Sequence, residues 1–340
     1  MLVKAKAPLR IGFAGGGTDV SPYSDEFGGA VLNATIDKYA TVVIEPRNDG
    51  LISFCSIDKN EKVVFKSTKH LDSQGKLDLL AGSYNRIVKD FTKKPLSFSM
   101  ITYVDAPIGS GLGASSTLVV AIIKAYQEWL KLPLGNYDIA NLAYSIERED
   151  LKMLGGKQDQ YAASFGGFNF VEFEKDRVIV NPLKIDKTFA KELEFNTILY
   201  YTGTSRLSAK IIECQSENTK QKNSVALEAM HQIKKDAFKM KEIFLANDTD
   251  EIGELLNLCW ESKKKTAQEI SNSMIDEIYN TAIKAGATGG KISGAGGGGY
   301  MFFYCPKISK YNVMEELSKF GGKCTNFRFT YTGAESWTVD

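Results

Sequence analysis

The stretch Pro107-Ile-Gly-Ser-Gly-Leu-Gly-Ala-Ser-Ser-Thr117 decides how this chain is read. Ahead of it, residues 96–104 read as a β-strand. Behind it, apolar residues at 118, 119, 122, 123, 126 and 130 recur with a helical period and stop before Pro133. A strand, a glycine-rich turn and a helix start, in that order, leave unpaired backbone N–H groups at the positive end of a helix dipole, which is a cradle for phosphate. Fifteen of the thirty glycines concentrate at 12–17, 109–113 and 286–299. Glycine costs conformational entropy, so such clustering implies unusual dihedrals or close backbone approach. One cluster alone reads as tight turns; three, one of them leading into a helix, point to a phosphate site.

Outward from this loop, residues 39–45, 51–57 and 62–65 read as strands, separated by Asn-Asp-Gly and Asp-Lys-Asn turns. Helices are expected over 79–92 and 137–151, strands over 168–173 and 195–201. Long Lys-rich helices follow near 205–246 and 250–270, then a helix at 274–285, closed by Gly286, and strands at 300–305 and 326–332. At 340 residues the chain suggests two α+β domains, taken as 1–185 and 186–340.

Composition removes several function classes. Lys plus Arg number 42 and Asp plus Glu 41, a net charge of +1, which offers no bulk attraction to nucleic acid or anionic membrane. No apolar run reaches the 18 or more residues of a membrane span, and Lys4, Lys6 and Arg10 stand where a signal peptide needs its apolar segment, so the expected location is cytoplasmic. The five cysteines are scattered and read as reduced thiols. His70 and His231 lie far from the glycine clusters and read as surface residues, which disfavours His-based catalysis. Two standard nucleotide loops also fail. Gly109-x-Gly111-x-x-Ala114 has dinucleotide spacing, but a second helix follows where that design needs a strand. A Walker loop would need Gly at 285 and Ser or Thr at 292, where the chain has Ala285 and Ile292.

Pro107-x-x-x-Gly111-Leu-Gly-Ala-Ser-Ser resembles the P-x-x-x-G-L-G-S-S-A-A loop of the GHMP kinases (galactokinase, homoserine kinase, mevalonate kinase, phosphomevalonate kinase). Lys6-Ala-Pro-Leu-Arg10 through Gly17-Thr-Asp19 looks like the N-terminal motif of that family, and Lys291-Ile-Ser-Gly-Ala-Gly-Gly-Gly-Gly-Tyr300 like its C-terminal glycine loop. The resemblance implies a two-domain fold, an N-terminal unit like ribosomal protein S5 domain 2 and a ferredoxin-like C-terminal unit, with the active site between them. It implies that Pro107, Gly109, Ser110, Gly111, Leu112, Gly113, Ala114, Ser115 and Ser116 form the ATP loop, with Ser115 (Ser116 as alternative) and Glu147 holding Mg2+. The other readings of these residues are a helix cap for the serines and a salt bridge from Glu147 to Arg148 or Lys152.

By the same resemblance Asp159 is the catalytic base in a loop, supported by Arg10. Gly16, Gly17, Thr18, Asp19, Asp159, Gly296 and Gly297 contact the sugar. Ala14-Gly-Gly-Gly-Thr-Asp19, together with Tyr201-Thr-Gly-Thr-Ser-Arg206, is similar to the branch that phosphorylates the anomeric hydroxyl of D-glycero-D-manno-heptose 7-phosphate. Such an acceptor needs cations at its far end, for which Lys157, Arg206 and Lys210 are candidates. ATP, Mg2+ and a sugar phosphate are the expected ligands, with a homodimer allowed and neither nucleic acid nor membrane involved. Another sugar 1-kinase of mannose or fucose type, a decarboxylating relative of mevalonate diphosphate decarboxylase and a non-catalytic relative are the alternatives.

Overall fold

The computed structural model describes residues 1–107, 109–203 and 208–340. Arg206 therefore lies outside the described residues. The first half supplies strands β1 (Leu2–Ala14), β2 (Gly29–Pro46), β3 (Leu51–Ser56), β4 (Glu61–Lys66), β5 (Phe98–Val104), β6 (Phe168–Phe173) and β7 (Val178–Pro182). The second half supplies β8 (Thr197–Tyr201), β9 (Gly289–Ile292), β10 (Tyr300–Tyr304), β11 (Lys323–Thr325) and β12 (Glu335–Val339). Helices are α1 (Tyr23–Phe27), α2 (Asp78–Ile87), α3 (Ala114–Leu130), α4 (Asn136–Ser145), α5 (Gln158–Phe165), α6 (Lys187–Asn196), α7 (Ser208–Lys220), α8 (Ser224–Ala246), α9 (Glu251–Lys264), α10 (Ser273–Lys284) and α11 (Ser309–Ser318).

The strands form two sheets. In the larger one the order is β12-β1-β2-β5-β3-β4, and the 18-residue β2 uses its other half to pair β6, which carries β7. The smaller sheet runs β11-β8-β10-β9 and is antiparallel throughout. In chain order that is four-one-three-two, the arrangement of a ferredoxin-like unit. Strands β1–β7 lie in the larger sheet and β8–β11 in the smaller one. β12 returns to pair with β1, Leu2 opposite Val339 and Lys6 opposite Glu335.

One apolar core crosses from sheet to sheet. The buried Phe13 ring on β1 lies 5.0 Å from Phe244 of α8, 5.7 Å from Phe302 of β10 and 6.2 Å from Phe329. The second cluster, around Trp260, Ile278 and Met301, fills the outer side of the smaller sheet.

Several local expectations are corrected. Residues 326–332 form no regular strand. The Phe329 N–H goes to the Glu194 carboxylate and the Arg328 N–H to that of Asp37, so ladder pairing reduces to a single bridge between Ile36 and Phe329. Residues 195–196 are the last two of α6, whose start Asp186 caps by accepting from the N–H groups of Thr188 and Phe189. The helix expected over 205–246 breaks at 221–223, where Asn223 caps α8. His231 is half-buried, its Nδ1 2.8 Å from the Tyr23 hydroxyl. The helix expected over 137–151 stops being α-helical at Ser145 and continues as a π-helical turn, Ile146–Asp150, closed by Leu151 N–H donating to Ile146 O. Such turns are often found at functional sites, and this one carries Glu147. Among the described residues no helix is long and apolar enough to cross a membrane.

Because the core is shared, Phe244→Ala is expected to cost about 3–5 kcal/mol. Urea unfolding followed by circular dichroism and by tryptophan fluorescence should show one common transition moved to lower urea; two separated transitions would mean independent cores.

Candidate active site

Between the two sheets lies a cleft of about 700 Å³, walled by all three glycine clusters. The central loop enters α3 through Gly113, which has no side chain to cap the helix, so the N–H groups of the first turn face the cleft. The loop is sewn to the C-terminal half. Tyr300 N–H donates to Ser110 O at 2.8 Å, and Ser293 Oγ donates to Gly111 O at 2.9 Å. Gly111 has φ +87°, and a Cβ there would stand 2.0 Å from Ser293 O, so only glycine allows the approach.

At the seam stands Arg10, in β1, with its side chain 4% exposed. Its Nε and Nη2 each lie 2.6 Å from Asp159 Oδ1, while Nη1 donates to Gly111 O at 2.5 Å and to Ser293 Oγ at 3.2 Å. Asp159 is not in a loop as expected but in the first turn of α5, where the helix dipole favours a carboxylate. One guanidinium thus ties the central loop, the C-terminal loop and Asp159 together.

Asp19 is buried beside it. Its carboxylate accepts from Gly17 N–H at 3.0 Å, Gln158 N–H at 3.1 Å and Gln158 Nε2 at 3.0 Å. A carboxylate has about four acceptor positions, so one remains toward the cleft. Gly156 closes the back of this group: a Cβ there would lie 1.9 Å from Asp19 Oδ2.

On the opposite wall the buried Glu147 accepts from Ser116 Oγ at 2.9 Å and from Gln160 Nε2 at 2.6 Å, with Arg148 Nη1 at 3.7 Å. Burial raises its carboxyl pKa, against the opposing effects of Arg148, Gln160 and Ser116. The salt bridge to Arg148 is present, and Glu147 also lines the cleft. The serine that reaches Glu147 is Ser116. Ser115 lines the cleft with its Oγ buried and without a partner among the described residues. An orphaned hydroxyl and a carboxylate are hard oxygen donors of the kind magnesium takes, and nucleotide phosphates and water complete such a shell.

Other expected contacts fall elsewhere. The Thr18 hydroxyl is spent internally, its one proton within reach of Gly15 O and Ala30 O while its oxygen accepts from Ala30 N–H. Ser110 and Leu112 are buried in the protein, and Pro107 is outside the cleft wall; Gly109, Gly111, Gly113 and Ala114 line it. Gly16 turns its carbonyl to Lys263, and Gly297 donates its N–H to Ile270 O, leaving Gly17 and Gly296 on the wall. Lys157 points away, 3.3 Å from Asp25 Oδ1, because α5 places Gln158 and Asp159 at the cleft and the preceding residue outside it. Lys210 is exposed and pairs with Glu269 at 2.9 Å.

The residues that sequence reading passed over are Gln158, Gln160, Ser293 and Lys263. The first two flank Asp159 and Ser293 lies within the Lys291–Tyr300 motif, so proximity was a signal. Lys263 sits among other lysines at the end of α9 and carried none.

The GHMP kinase N-terminal domain model matches residues 78–167 and the GHMP kinase C-terminal model residues 240–323. The chain belongs to the GHMP kinase family. It is 52% identical over 338 residues, 99% of each chain, to a D-glycero-alpha-D-manno-heptose 7-phosphate kinase of Campylobacter jejuni. A crystal structure of a D-glycero-D-manno-heptose 1-phosphate kinase from Bacteroides thetaiotaomicron superposes with TM-score 0.86 at 43% identity, covering 99% of each chain. Galactokinase from Lactococcus lactis, at 17% identity and TM-score 0.77 over 98% of this chain and 95% of its own, shares the fold.

Gly156→Ala tests the packing behind Asp19. Displacement of that carboxylate by about an ångström should lower kcat/KM for the acceptor about 100-fold. Nucleotide affinity, read with a fluorescent ATP analogue, should stay unchanged.

Proposed function

We propose that the protein is an ATP-dependent sugar kinase that transfers the γ-phosphoryl group to the anomeric hydroxyl of D-glycero-D-manno-heptose 7-phosphate. The observation that carries the chemistry is Arg10 bound to Asp159 at the meeting of the three glycine loops. The acceptor class is supported by the 52% identical relative of matching length. The 7-phosphate and 1-phosphate names of the two relatives differ in the position already phosphorylated, and the anomeric assignment is our choice between them.

In this reading Asp159 accepts the proton of the C1 hydroxyl as that oxygen forms its bond to the γ-phosphorus, and the bond from γ-phosphorus to the β–γ bridging oxygen breaks to release ADP. Arg10 holds Asp159 in place and keeps a positive charge beside the transferring group. Asp19, fixed by Gln158, accepts from a sugar hydroxyl through its remaining position. The first-turn N–H groups of α3 and the glycine loop receive the ATP phosphates. Ser115, Ser116 and Glu147 would hold the magnesium ion, which when bound neutralises phosphate charge.

Asp159→Asn should lower turnover about 10²- to 10⁴-fold while ATP still binds; near-normal turnover would remove Asp159 from the role of base. The acceptor is tested by phosphorus NMR of reactions with heptose 7-phosphate, heptose 1-phosphate, free heptose, mannose, fucose and mevalonate. A new anomeric phosphate signal with heptose 7-phosphate supports the assignment. A new primary-ester signal with heptose 1-phosphate, or turnover confined to unphosphorylated sugars, overturns it.

A further inference from the structure

Lys263 is the cleft residue whose burial the mechanism leaves unexplained. It lies in the last turn of α9, 5% exposed, and faces the cleft beside Gly17. Its ammonium donates to Gly16 O at 3.0 Å, and among the described residues no carboxylate comes within ion-pair distance. One of three N–H donors is thereby used and two are left. A buried ammonium without a counter-ion is costly, and the C-terminal end of α9 offsets that only in part. Burial, with Lys291 nearby, pulls its pKa down to about 8, against the opposing effect of Asp19. An anion at this point would relieve both.

The glycine run opposite makes the room. A Cβ at Gly17 would stand 3.2 Å from Lys263 Nζ and 3.8 Å from Gln215 Oε1, so any larger side chain there would cap the ammonium. Among the described residues, the other cations on the cleft wall are committed or peripheral. Arg10 holds Asp159, Arg148 lies against Glu147 and donates to Gly156 O, and Lys152 is exposed at the rim. Lys157 and Lys210, expected from sequence to meet an acceptor phosphate, are turned elsewhere.

We propose that Lys263, opposite the side-chain-free Gly16–Gly17 backbone, is the anion-binding residue of the acceptor pocket and receives the phosphate that the sugar already carries. The proposal rests on the sugar-phosphate reading above and names the residue that makes that site selective. Gln215 lies on the same wall, its Nε2 donating to Thr266 Oγ1 at 2.8 Å.

The test compares wild type with Lys263→Met and the gentler Lys263→Gln, each checked for native melting. The ratio of kcat/KM for heptose 7-phosphate to that for free heptose should fall about 100-fold in either variant, carried by KM rather than kcat. Inorganic phosphate should inhibit the wild type competitively with the acceptor, and the variants far less. Equal losses on both sugars, or phosphate inhibition competitive with ATP alone, would overturn the proposal. If the wild type turns over no phosphorylated sugar, the substrate reading fails. The Lys263 site is then judged by thermal stabilisation from inorganic phosphate: loss of that stabilisation in Lys263→Gln upholds an anion site, and its persistence refutes it.

Discussion

The guanidinium of Arg10 is the point at which separate parts of the chain become one site. Its two bonds to Asp159 fix the start of α5, and its bonds to Gly111 O and Ser293 Oγ fix two glycine loops that lie more than 180 residues apart in sequence. The residue can do this because β1 pairs β2 there, Arg10 opposite Thr35, its backbone N–H donates to Leu112 O of the central loop, and its side chain is buried. An arginine taken out of water needs its donors satisfied, and here a carboxylate, a carbonyl and a hydroxyl satisfy them. The four bonds therefore constrain the geometry of the loops around the carboxylate.

Around this point the protein accepts several groups that are unfavourable in isolation. Glu147 is buried, and its carboxyl is raised by desolvation; Lys263 and Lys291 are buried, and both are lowered by it. The Ser115 hydroxyl is buried without a partner among the described residues. Groups of this kind are rarely buried in a core built only for stability, and Glu147, Lys263 and Ser115 all line the one cleft.

Much of this was legible in the sequence, because glycine clusters and their order survive as local patterns. The strand–loop–helix at 96–130 and the strand at 168–173 needed only periodicity and turn residues to be read. What was not legible depended on side chains meeting across the fold. The failure of 326–332 to form a ladder follows from Glu194 and Asp37 capturing its N–H groups, and the return of β12 to β1 pairs the two ends of the chain. The same holds within the site. Asp19 and Asp159 stand out through their motifs, whereas Lys263 looks like one of three consecutive surface lysines until α9 is packed against β9 and the Gly16 carbonyl. Lys157 shows the converse, adjacent to catalytic-looking residues yet directed at Asp25 by the first turn of α5.

The central claim is that Arg10 and Asp159 act as one unit, and a double-mutant cycle on kcat/KM with Arg10→Met and Asp159→Asn tests it most directly. If the guanidinium works through the carboxylate it holds, the double variant should be little slower than the slower single variant, a coupling on the order of 2 kcal/mol or more. Losses that simply multiply would show that the two residues act independently, and would contradict the account.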